Sequence, residues 1–158
     1  MGNWQLVIGN YLITNYQLPI TQNKPGYLML AVGVDMIEIA RIERGIARHG
    51  DRFLQRFFTA QEIGYCNGRF PSLAGRFAIK EAVGKALGTG IGDIRWTDVE
   101  VVCDGRGKPE LHLHNQAKAL ATSKGWATWD ISLSHTNTHA IGFVVALYNI
   151  GNKNQSTE

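Results

Sequence analysis

Two carboxylates and a lysine are the residues of this 158-residue chain best suited to do chemistry. Glu81 and Lys85 stand one helical turn apart in residues 75–88, on a stripe that also holds several alanines, and Asp35 stands far upstream in Gly33-Val34-Asp35. Proteins hold Mg²⁺ through one or two carboxylates, waters and phosphate oxygens of the substrate. The three residues therefore indicate a site for a hard cation and a phosphate group.

Each of these residues also has a purely structural interpretation. Glu81 and Lys85 in i,i+4 order stabilise an ordinary solvated helix without any further role. Asp35 at the end of an apolar run is typical of a turn residue or of a cap for the next helix. The functional interpretation is favoured because a glycine-rich segment, residues 88–92, follows the helix directly and because the two acids come from separate segments.

The glycines in and after this helix raise two further questions. Residues 88–92 do not form a phosphate-binding P-loop, since they follow a helix and lack the Gly-Lys-Ser/Thr ending. Gly84, inside the helix, costs about 1 kcal/mol relative to alanine. Either it allows a cofactor to approach closely or it has no role.

The overall composition is that of a soluble globular domain, with 44% hydrophobic and 18% charged residues. A formal charge of +3 mildly favours an acidic partner and is too small to indicate nucleic acid. Cys66 and Cys103 are far apart and have no metal-ligand spacing, so we predict neither a disulfide framework nor a zinc site. With no convincing secretory signal or membrane span, we expect a cytoplasmic protein that binds neither membrane nor nucleic acid.

The two ends of the chain differ from its middle. Residues 1–27 are an extension of uncertain status, because a polar linker containing Pro19, Pro25 and Gly26 separates them from the next hydrophobic run. One interpretation makes Met29 the native start of translation, and the other packs a strand at residues 6–8 into the fold. We expect the domain itself to span residues 28–148 and a polar tail to span residues 149–158.

Hydrophobic periodicity and turn residues predict the elements that position the candidate site. The predicted strands span residues 28–34, 99–102, 110–114, 130–134 and 140–148, and the predicted helices span residues 38–48, 72–88 and 115–124. We expect Ser72 to cap the second of these helices, Gly88 to stop it, and Arg52 and Arg56 to lie in a turn after the first. Thr59 and Glu62 form a capping box that begins a further short helix. Strands joined by hairpins rather than long crossovers indicate a single α+β domain with helices packed on an antiparallel sheet.

Five arginines lie close together in and after the first predicted helix: Arg41, Arg44, Arg48, Arg52 and Arg56. They lie outside the apolar stripe formed by Ile39, Ile42 and Ile46. A solvated helix face and a docking surface for an acidic partner are both open interpretations. A non-catalytic basic module that binds an acidic partner is therefore the alternative function. The four tryptophans do not interleave with the arginines, as binding of single-stranded nucleic acid would require.

Five motifs together carry a family resemblance. They are Gly33-Val34-Asp35, Phe58-Thr59-Ala60-Gln61-Glu62, Phe77-x-x-Lys80-Glu81-Ala82-x-x-Lys85-Ala86-x-Gly88, Gly107-Lys108-Pro109 and Ser132-Leu133-Ser134-His135-Thr136. Through their order and spacing over about residues 28–148, the sequence resembles the holo-[acyl-carrier-protein] synthases, the bacterial branch of the 4'-phosphopantetheinyl transferases. Residues 1–28 have no counterpart in that pattern.

The resemblance implies a fold, an assembly and a reaction. The fold is that of the 4'-phosphopantetheinyl transferases, with helices against a curved antiparallel sheet, and the assembly is a homotrimer with active sites between subunits. The reaction is Mg²⁺-dependent transfer of 4'-phosphopantetheine from coenzyme A to a serine of apo-acyl carrier protein, in support of fatty acid biosynthesis. Adenosine 3',5'-bisphosphate is the by-product. Whether Mn²⁺ replaces Mg²⁺ is left open.

The resemblance also implies roles for individual residues. Asp35 and Glu81 would hold the metal ion, and Lys85 would contact phosphate and stabilise the leaving group. The coenzyme A contacts implied are Lys80, Lys85, Gly88, Ser134, His135 and Thr136, with a surface ion pair as the alternative for Lys80. Arg41, Arg48 and Arg52 would dock the acidic carrier protein. The serine proton would leave through either a metal-ordered water or a carboxylate.

Overall fold

A computed structural model describes residues 7–8, 11–12 and 28–149 of the chain. The strands are β1 (Val7–Ile8), β2 (Tyr11–Leu12), β3 (Leu28–Glu38), β4 (Val99–Cys103), β5 (Pro109–Leu113), β6 (Trp126–His135) and β7 (His139–Asn149). The helices are α1 (Ile39–His49), α2 (Asp51–Phe57), α3 (Ala60–Cys66), α4 (Phe70–Leu87), a 3₁₀ turn (Trp96–Asp98) and α5 (Asn115–Ser123). The predicted tail beyond residue 149 and most of the predicted extension lie outside the described residues.

Three antiparallel sheets make up the β structure of these residues. The largest has the strand order β3-β7-β6, and Asp35 of β3 pairs with Gly142 of β7. The other two are the hairpins β4-β5 and β1-β2. The large sheet, the hairpin β4-β5 and the helices form one α+β domain, as the hairpin-rich pattern predicted. No helix in the described part of the chain is long and apolar enough to span a bilayer.

Helix α4 lies directly against the strands β3 and β7, and two glycines make this approach possible. A Cβ atom at Gly33 would overlap the carbonyl oxygen of Ala82, and one at Gly142 would overlap the backbone nitrogen of Ile79. Any larger side chain at either position would push the helix off the sheet. The close approach holds the middle of α4 beside Asp35, two residues along β3 from Gly33.

The hydrophobic core lies on both sides of α4. Ile79, Val83 and Leu87 belong to one cluster, which they share with β4, β5, α5 and the sheet. Leu73 and Phe77 belong to a second cluster under α1, α2 and α3. A helix that is apolar nearly all round is typical of a buried central helix. The sequence stretch with the candidate chemistry is therefore also the centre of the fold.

Several predicted boundaries need correction. The strand β3 continues through Asp35 to Glu38, so Asp35 neither ends the strand nor caps α1. The segment with Arg52 and Arg56, expected to be a turn, is the helix α2. Helix α4 begins at Phe70 with Pro71 in its first turn, so Ser72 is not its cap, whereas the predicted stop at Gly88 is confirmed. The capping box of Thr59 and Glu62 is also confirmed.

The face of the large sheet that points away from α4 is apolar and exposed. We call it the open face, and its exposed members are Leu28, Leu30, Val32, Val34, Met36, Ile141 and Phe143. They are 40–65% exposed. Successive residues of a strand point to opposite faces, so on β3 these positions alternate with Gly33, Asp35 and Ile37, which face the helices. Exposed patches of this kind mark interaction surfaces.

Candidate active site

Asp35 and Lys85, 50 residues apart in sequence, form an ion pair at the centre of the candidate site. The Lys85 Nζ atom donates to Asp35 Oδ1 at 2.8 Å and to the carbonyl oxygen of Val34 at 3.0 Å. The Lys85 side chain is 52% exposed and that of Asp35 is 19% exposed. Lys85 therefore pairs with the distant acid, and no ion pair with Glu81 is found among the described residues.

Glu81, one turn before Lys85 on α4, belongs to the same group of charges. Burial raises the pKa of its carboxyl group most, and the neighbouring Asp35 carboxylate raises that pKa further. The positive charges of Lys85 and Arg41 act in the opposite direction and do not cancel the rise. Two neighbouring carboxyl groups are an oxygen donor set that a divalent cation would stabilise.

The glycine-rich segment after α4 folds back onto the helix. Gly88 is the left-handed C-cap, with φ 74°, and Gly90 donates to the carbonyl oxygen of Gly84 at 3.0 Å. A Cβ atom at Gly84 would lie 2.8 Å from the carbonyl carbon of Gly90. Gly84 therefore makes room for the chain's own backbone. This internal contact explains the glycine at position 84, instead of the close approach of a cofactor that we considered from the sequence.

Lys80 is the predicted site residue that the structure removes from the solvent. Its side chain is 0% exposed, and its Nζ atom donates to Glu62 Oε2 at 2.8 Å and to the carbonyl oxygens of Trp96, at 2.9 Å, and Val99. The ion pair expected as an alternative exists, but it is buried and not on the surface. Every hydrogen of the ammonium group already has an acceptor within the chain. Lys80 therefore has no N–H group left to donate to coenzyme A, and the prediction that it contacts coenzyme A is not retained.

The last motif lies away from this cluster within one chain. Ser134 pairs with Ile141 across the sheet, so its side chain points to the open face, on the side opposite α4. Thr136 caps the tight turn between β6 and β7, where its Oγ1 atom accepts from the backbone N–H groups of Thr138 and His139. Ser134, His135 and Thr136 are exposed. No hydrogen bond among the described residues joins them to Asp35, Glu81 or Lys85.

The predicted docking arginines lie on the surfaces of α1 and α2. Arg41, Arg48 and Arg52 are all exposed. The two neighbouring arginines have weak contacts: Arg44 lies 3.8 Å from Glu38, and Arg56 lies over the ring of Phe57 at 5.5 Å from its centroid. Arg41 is the member whose charge reaches Glu81. The arginine surface therefore borders the candidate active site.

A second buried arrangement was missed by sequence reasoning. Arg76, one turn before Lys80 on α4, is 3% exposed, donates to the carbonyl oxygen of Ser72 and to Cys103 Sγ, and lies over the ring of Tyr65. Charged residues are seldom fully buried, and the burial of Arg76 and Lys80 was not predicted. The sequence feature that could have indicated this burial is the run of apolar residues around nearly all of α4.

Comparison with known proteins agrees with this fold. The family model of the 4'-phosphopantetheinyl transferase superfamily matches residues 31–144. The holo-[acyl-carrier-protein] synthase of Moorella thermoacetica is 48% identical over 122 residues, which cover 75% of this chain and 93% of the relative. The chain therefore belongs to the 4'-phosphopantetheinyl transferase superfamily, in its holo-[acyl-carrier-protein] synthase branch.

Solved structures place the chain in the same branch. The Helicobacter pylori holo-[acyl-carrier-protein] synthase, determined in complex with coenzyme A, aligns with a TM-score of 0.67 and 34% identity over 73% of this chain and 98% of that one. The Neisseria meningitidis enzyme aligns with a TM-score of 0.68 and 31% identity over 73% of this chain and 96% of that one. These matches confirm the predicted fold class, and none of them favours the non-catalytic basic module.

Proposed function

We propose that this chain transfers the 4'-phosphopantetheine group from coenzyme A to a serine of apo-acyl carrier protein, with the chemistry centred on Asp35, Glu81 and Lys85. The observation that carries the proposal is the convergence of these three side chains from β3 and α4. The serine oxygen forms a bond to the β-phosphorus of the coenzyme A diphosphate. The bond from that phosphorus to the bridging oxygen breaks, which releases adenosine 3',5'-bisphosphate.

The residues of the site fit a magnesium ion. Asp35 and Glu81 would hold it, because hard divalent cations prefer carboxylate oxygens and keep several waters or phosphate oxygens as further ligands. The raised pKa of Glu81 reflects burial and a second negative charge, a cost that a cation between the carboxylates would offset. When bound, Mg²⁺ would neutralise charge on the diphosphate and orient it for attack.

Lys85 is placed to stabilise charge on the phosphates. Its ammonium group is half exposed and its present partners are Asp35 and one backbone carbonyl. Phosphoryl transfer loads negative charge onto the equatorial and leaving oxygens, and a nearby ammonium group lowers the energy of that state. We assign Lys85 to the leaving group and Gly88, which ends the same helix one turn later, to the cofactor-binding segment.

The position of the last motif supports an active site shared between subunits. Ser134, His135 and Thr136 are assigned to coenzyme A binding, yet within one chain they are not joined to the Asp35 cluster. The open face offers an apolar surface on which a second copy would pack, and β3 is an exposed edge of the three-stranded sheet in the described part of the chain. Long apolar edges of this kind are normally covered. A homotrimer would cover them and bring the two half-sites together.

The assembly can be tested apart from the chemistry. Sedimentation velocity of the full chain is expected to give a trimer, and the charge-introducing variant Val32→Lys/Val34→Lys is expected to give monomers that remain folded. A chain starting at residue 28 separates self-association from coverage by residues 1–27. If that shortened chain still forms trimers, residues 1–27 are not required, whereas a monomeric full chain would contradict the proposal.

An acidic carrier protein suits the arginine surface. Arg41, Arg48 and Arg52 are exposed on two consecutive helices, and the charge of Arg41 reaches Glu81, so a carrier docked there would present its serine near Asp35 and Glu81. Complementary charges of this kind act mainly on the rate of encounter and on orientation. Participation in fatty acid biosynthesis, in the cytoplasm, would follow from this choice of partner.

One assay tests the proposed reaction directly. The chain is incubated with coenzyme A, Mg²⁺ and an apo-acyl carrier protein, and the carrier is followed by mass spectrometry. The expected result is a phosphopantetheine mass gain that is lost with chelator and with a carrier whose acceptor serine is replaced by alanine. A folded chain that gives no mass gain, yet binds the carrier, would instead favour the non-catalytic basic module.

A further inference from the structure

The helix that carries Glu81 and Lys85 packs on the sheet through small residues. Gly33 and Gly142 contact its backbone near Ala82 and Ile79, so this side brings backbones close together. Small residues supply few side chains that interlock, and interlocking ridges and grooves normally fix how one element is set against another. The rotation of α4 about its own axis must therefore be set by contacts on its other sides.

Lys80 supplies the most specific contact on the side away from the sheet. Its Nζ atom donates to the Glu62 carboxylate on α3, to the carbonyl oxygen of Trp96 in the 3₁₀ turn and to that of Val99 on β4. All three partners are acceptors, so the nitrogen uses three N–H groups and is an ammonium ion. The acceptors lie on α3, in the 3₁₀ turn and on the first residue of β4, so the nitrogen is tied to two separate parts of the chain.

Glu62 is held as firmly as its partner. Its Oε1 atom accepts from the backbone N–H group of Val101 at 3.1 Å, and its Oε2 atom accepts from that of Thr59 at 2.9 Å as well as from Lys80. Both side chains are 0% exposed. The pair has no access to a phosphate or carrier protein and so takes no direct part in binding.

The geometry of an α-helix links this buried contact to the metal site. Lys80 and Glu81 are consecutive residues, so one cannot rotate about the helix axis without the other. A carboxylate oxygen about 6 Å from the axis moves by about 2 Å when the helix rotates by about 20°. Displacements of about 1 Å in a catalytic site cost about a hundredfold in rate.

We propose that Lys80 is a positioning residue, whose buried contacts with α3, the 3₁₀ turn and β4 set the rotation of α4 and thereby aim Glu81 at the metal ion. This inference rests on the proposed role of Glu81 as a metal ligand. A buried ion pair adds little net stability over apolar residues of the same volume, but it does specify one arrangement. The same helix with an apolar residue at position 80 would fold with less control over the direction of Glu81.

The test measures metal binding apart from activity. In the double variant Lys80→Met/Glu62→Gln neither partner leaves a buried charge, so folding is expected to survive. The affinity for Mn²⁺ alone is measured by titration of its electron paramagnetic resonance signal. We expect the dissociation constant to rise about 10- to 100-fold, the usual effect of losing a group that orients a metal ligand. The kcat should fall while the KM for carrier protein stays within about twofold of wild type.

Two further variants keep the experiment decisive. Lys80→Gln/Glu62→Gln replaces the pair by two neutral amides that can still hydrogen-bond, so it serves if the first double variant does not fold, and it is expected to weaken Mn²⁺ binding about tenfold. Trp129→Phe is the matched control, because it removes a part-buried hydrogen bond between β6 and β5, from Trp129 Nε1 to the carbonyl oxygen of Leu111 at 3.0 Å, and changes no charge near Lys80. It should lower thermal stability and leave the affinity for Mn²⁺ unchanged.

The outcomes separate this inference from the proposed function. If Asp35→Ala and Glu81→Ala lose Mn²⁺ while a folded double variant, Lys80→Met/Glu62→Gln or Lys80→Gln/Glu62→Gln, binds it as wild type does, the metal site stands and Lys80 only stabilises the fold. If Asp35→Ala and Glu81→Ala bind Mn²⁺ as wild type does, the metal assignment and the positioning role are both overturned.

Discussion

Helix α4 carries two lysines whose ion pairs have the same length and opposite surroundings. Lys80 lies 2.8 Å from Glu62 and Lys85 lies 2.8 Å from Asp35. The first pair is 0% exposed on both sides, whereas the Lys85 side chain is 52% exposed. The N···O distance of an ion pair therefore does not tell whether the pair stabilises the fold or takes part in binding.

The difference lies in how many partners each pair has and whether solvent can replace them. Lys80 has three acceptors inside the protein, and removing Glu62 would leave the buried ammonium group without its counter-charge. Lys85 has solvent on one side, so it can leave Asp35 for a phosphate group at little cost. The buried pair is suited to hold the helix still, and the exposed pair is suited to exchange partners during a reaction.

The largest expected effect is on catalysis at the exposed pair. Replacing Asp35 or Glu81 by alanine removes one of the two carboxylates proposed to hold the metal ion, so we expect the rate of transfer to fall by at least about a thousandfold. The thermal melting temperature should stay close to that of wild type. Mass spectrometry of the carrier measures the rate, and Glu110→Ala, at an exposed position on β5, is the matched control. Wild-type rates in either variant would remove the metal-site assignment.

The next effect is on stability at the buried pair. Glu62→Ala leaves the Lys80 ammonium buried without its counter-charge, and we expect the free energy of unfolding to fall by about 3–5 kcal/mol. Asp35→Ala breaks a half-exposed pair, and we expect a loss below about 1 kcal/mol. Urea denaturation followed by circular dichroism compares the two variants. Equal losses would show that the contrast in burial has no energetic consequence.

A smaller effect is expected at the arginine surface beside the exposed pair. Reversing Arg41 and Arg48 to glutamate should raise the KM for carrier protein about tenfold or more and leave the KM for coenzyme A unchanged. The variant should also respond less to added salt, since salt screens charges beyond about 8 Å at physiological ionic strength. Steady-state kinetics at several salt concentrations make the measurement, with Lys118→Glu on α5 as the control. A loss of coenzyme A affinity with intact carrier binding would assign these arginines to the cofactor site.

The smallest expected effect is that of the Glu81 carboxylate on the free energy of unfolding. Because its pKa is raised in the folded chain, the ionised carboxylate destabilises that state at neutral pH in the absence of metal. Glu81→Gln should therefore raise the free energy of unfolding slightly, by at most about 1 kcal/mol for a half-exposed group. The gain should be present above the raised pKa, shrink as the pH falls through it, and vanish below the ordinary glutamate pKa. Thermal melts over that pH range with chelator present test the sign, and a gain that grows toward low pH would contradict it.

Local sequence signals predicted the parts of the fold that depend on local physics. The capping box at Thr59 and the stop at Gly88 follow from hydrogen bonds and backbone conformation within a few residues, and both are confirmed. The strand β3 was predicted too short because an acid usually ends an apolar run. Here Asp35 continues the strand, since a lysine 50 residues away supplies its partner.

The placement of Lys80 could not be predicted for the same reason. An ammonium group is buried only when several acceptors converge on it, and here they come from residues 62, 96 and 99. A single sequence contains those residues but not their convergence. The family resemblance was sufficient for the fold and the reaction, and the assignment of each lysine to its environment required the structure.

The alternation along β3 has a consequence for how this protein tolerates change. Gly33 and Asp35 face the helix, and Val32, Val34 and Met36 face outward. Residues that contact α4 therefore alternate along this strand with residues of the open face. In the proposed homotrimer, substitutions at the outward positions would act through subunit association, and raising the protein concentration would restore the activity of these variants. Substitutions at the inward positions would resist any such rescue. A saturation screen along β3, repeated at two concentrations, would therefore give a response with a period of two residues.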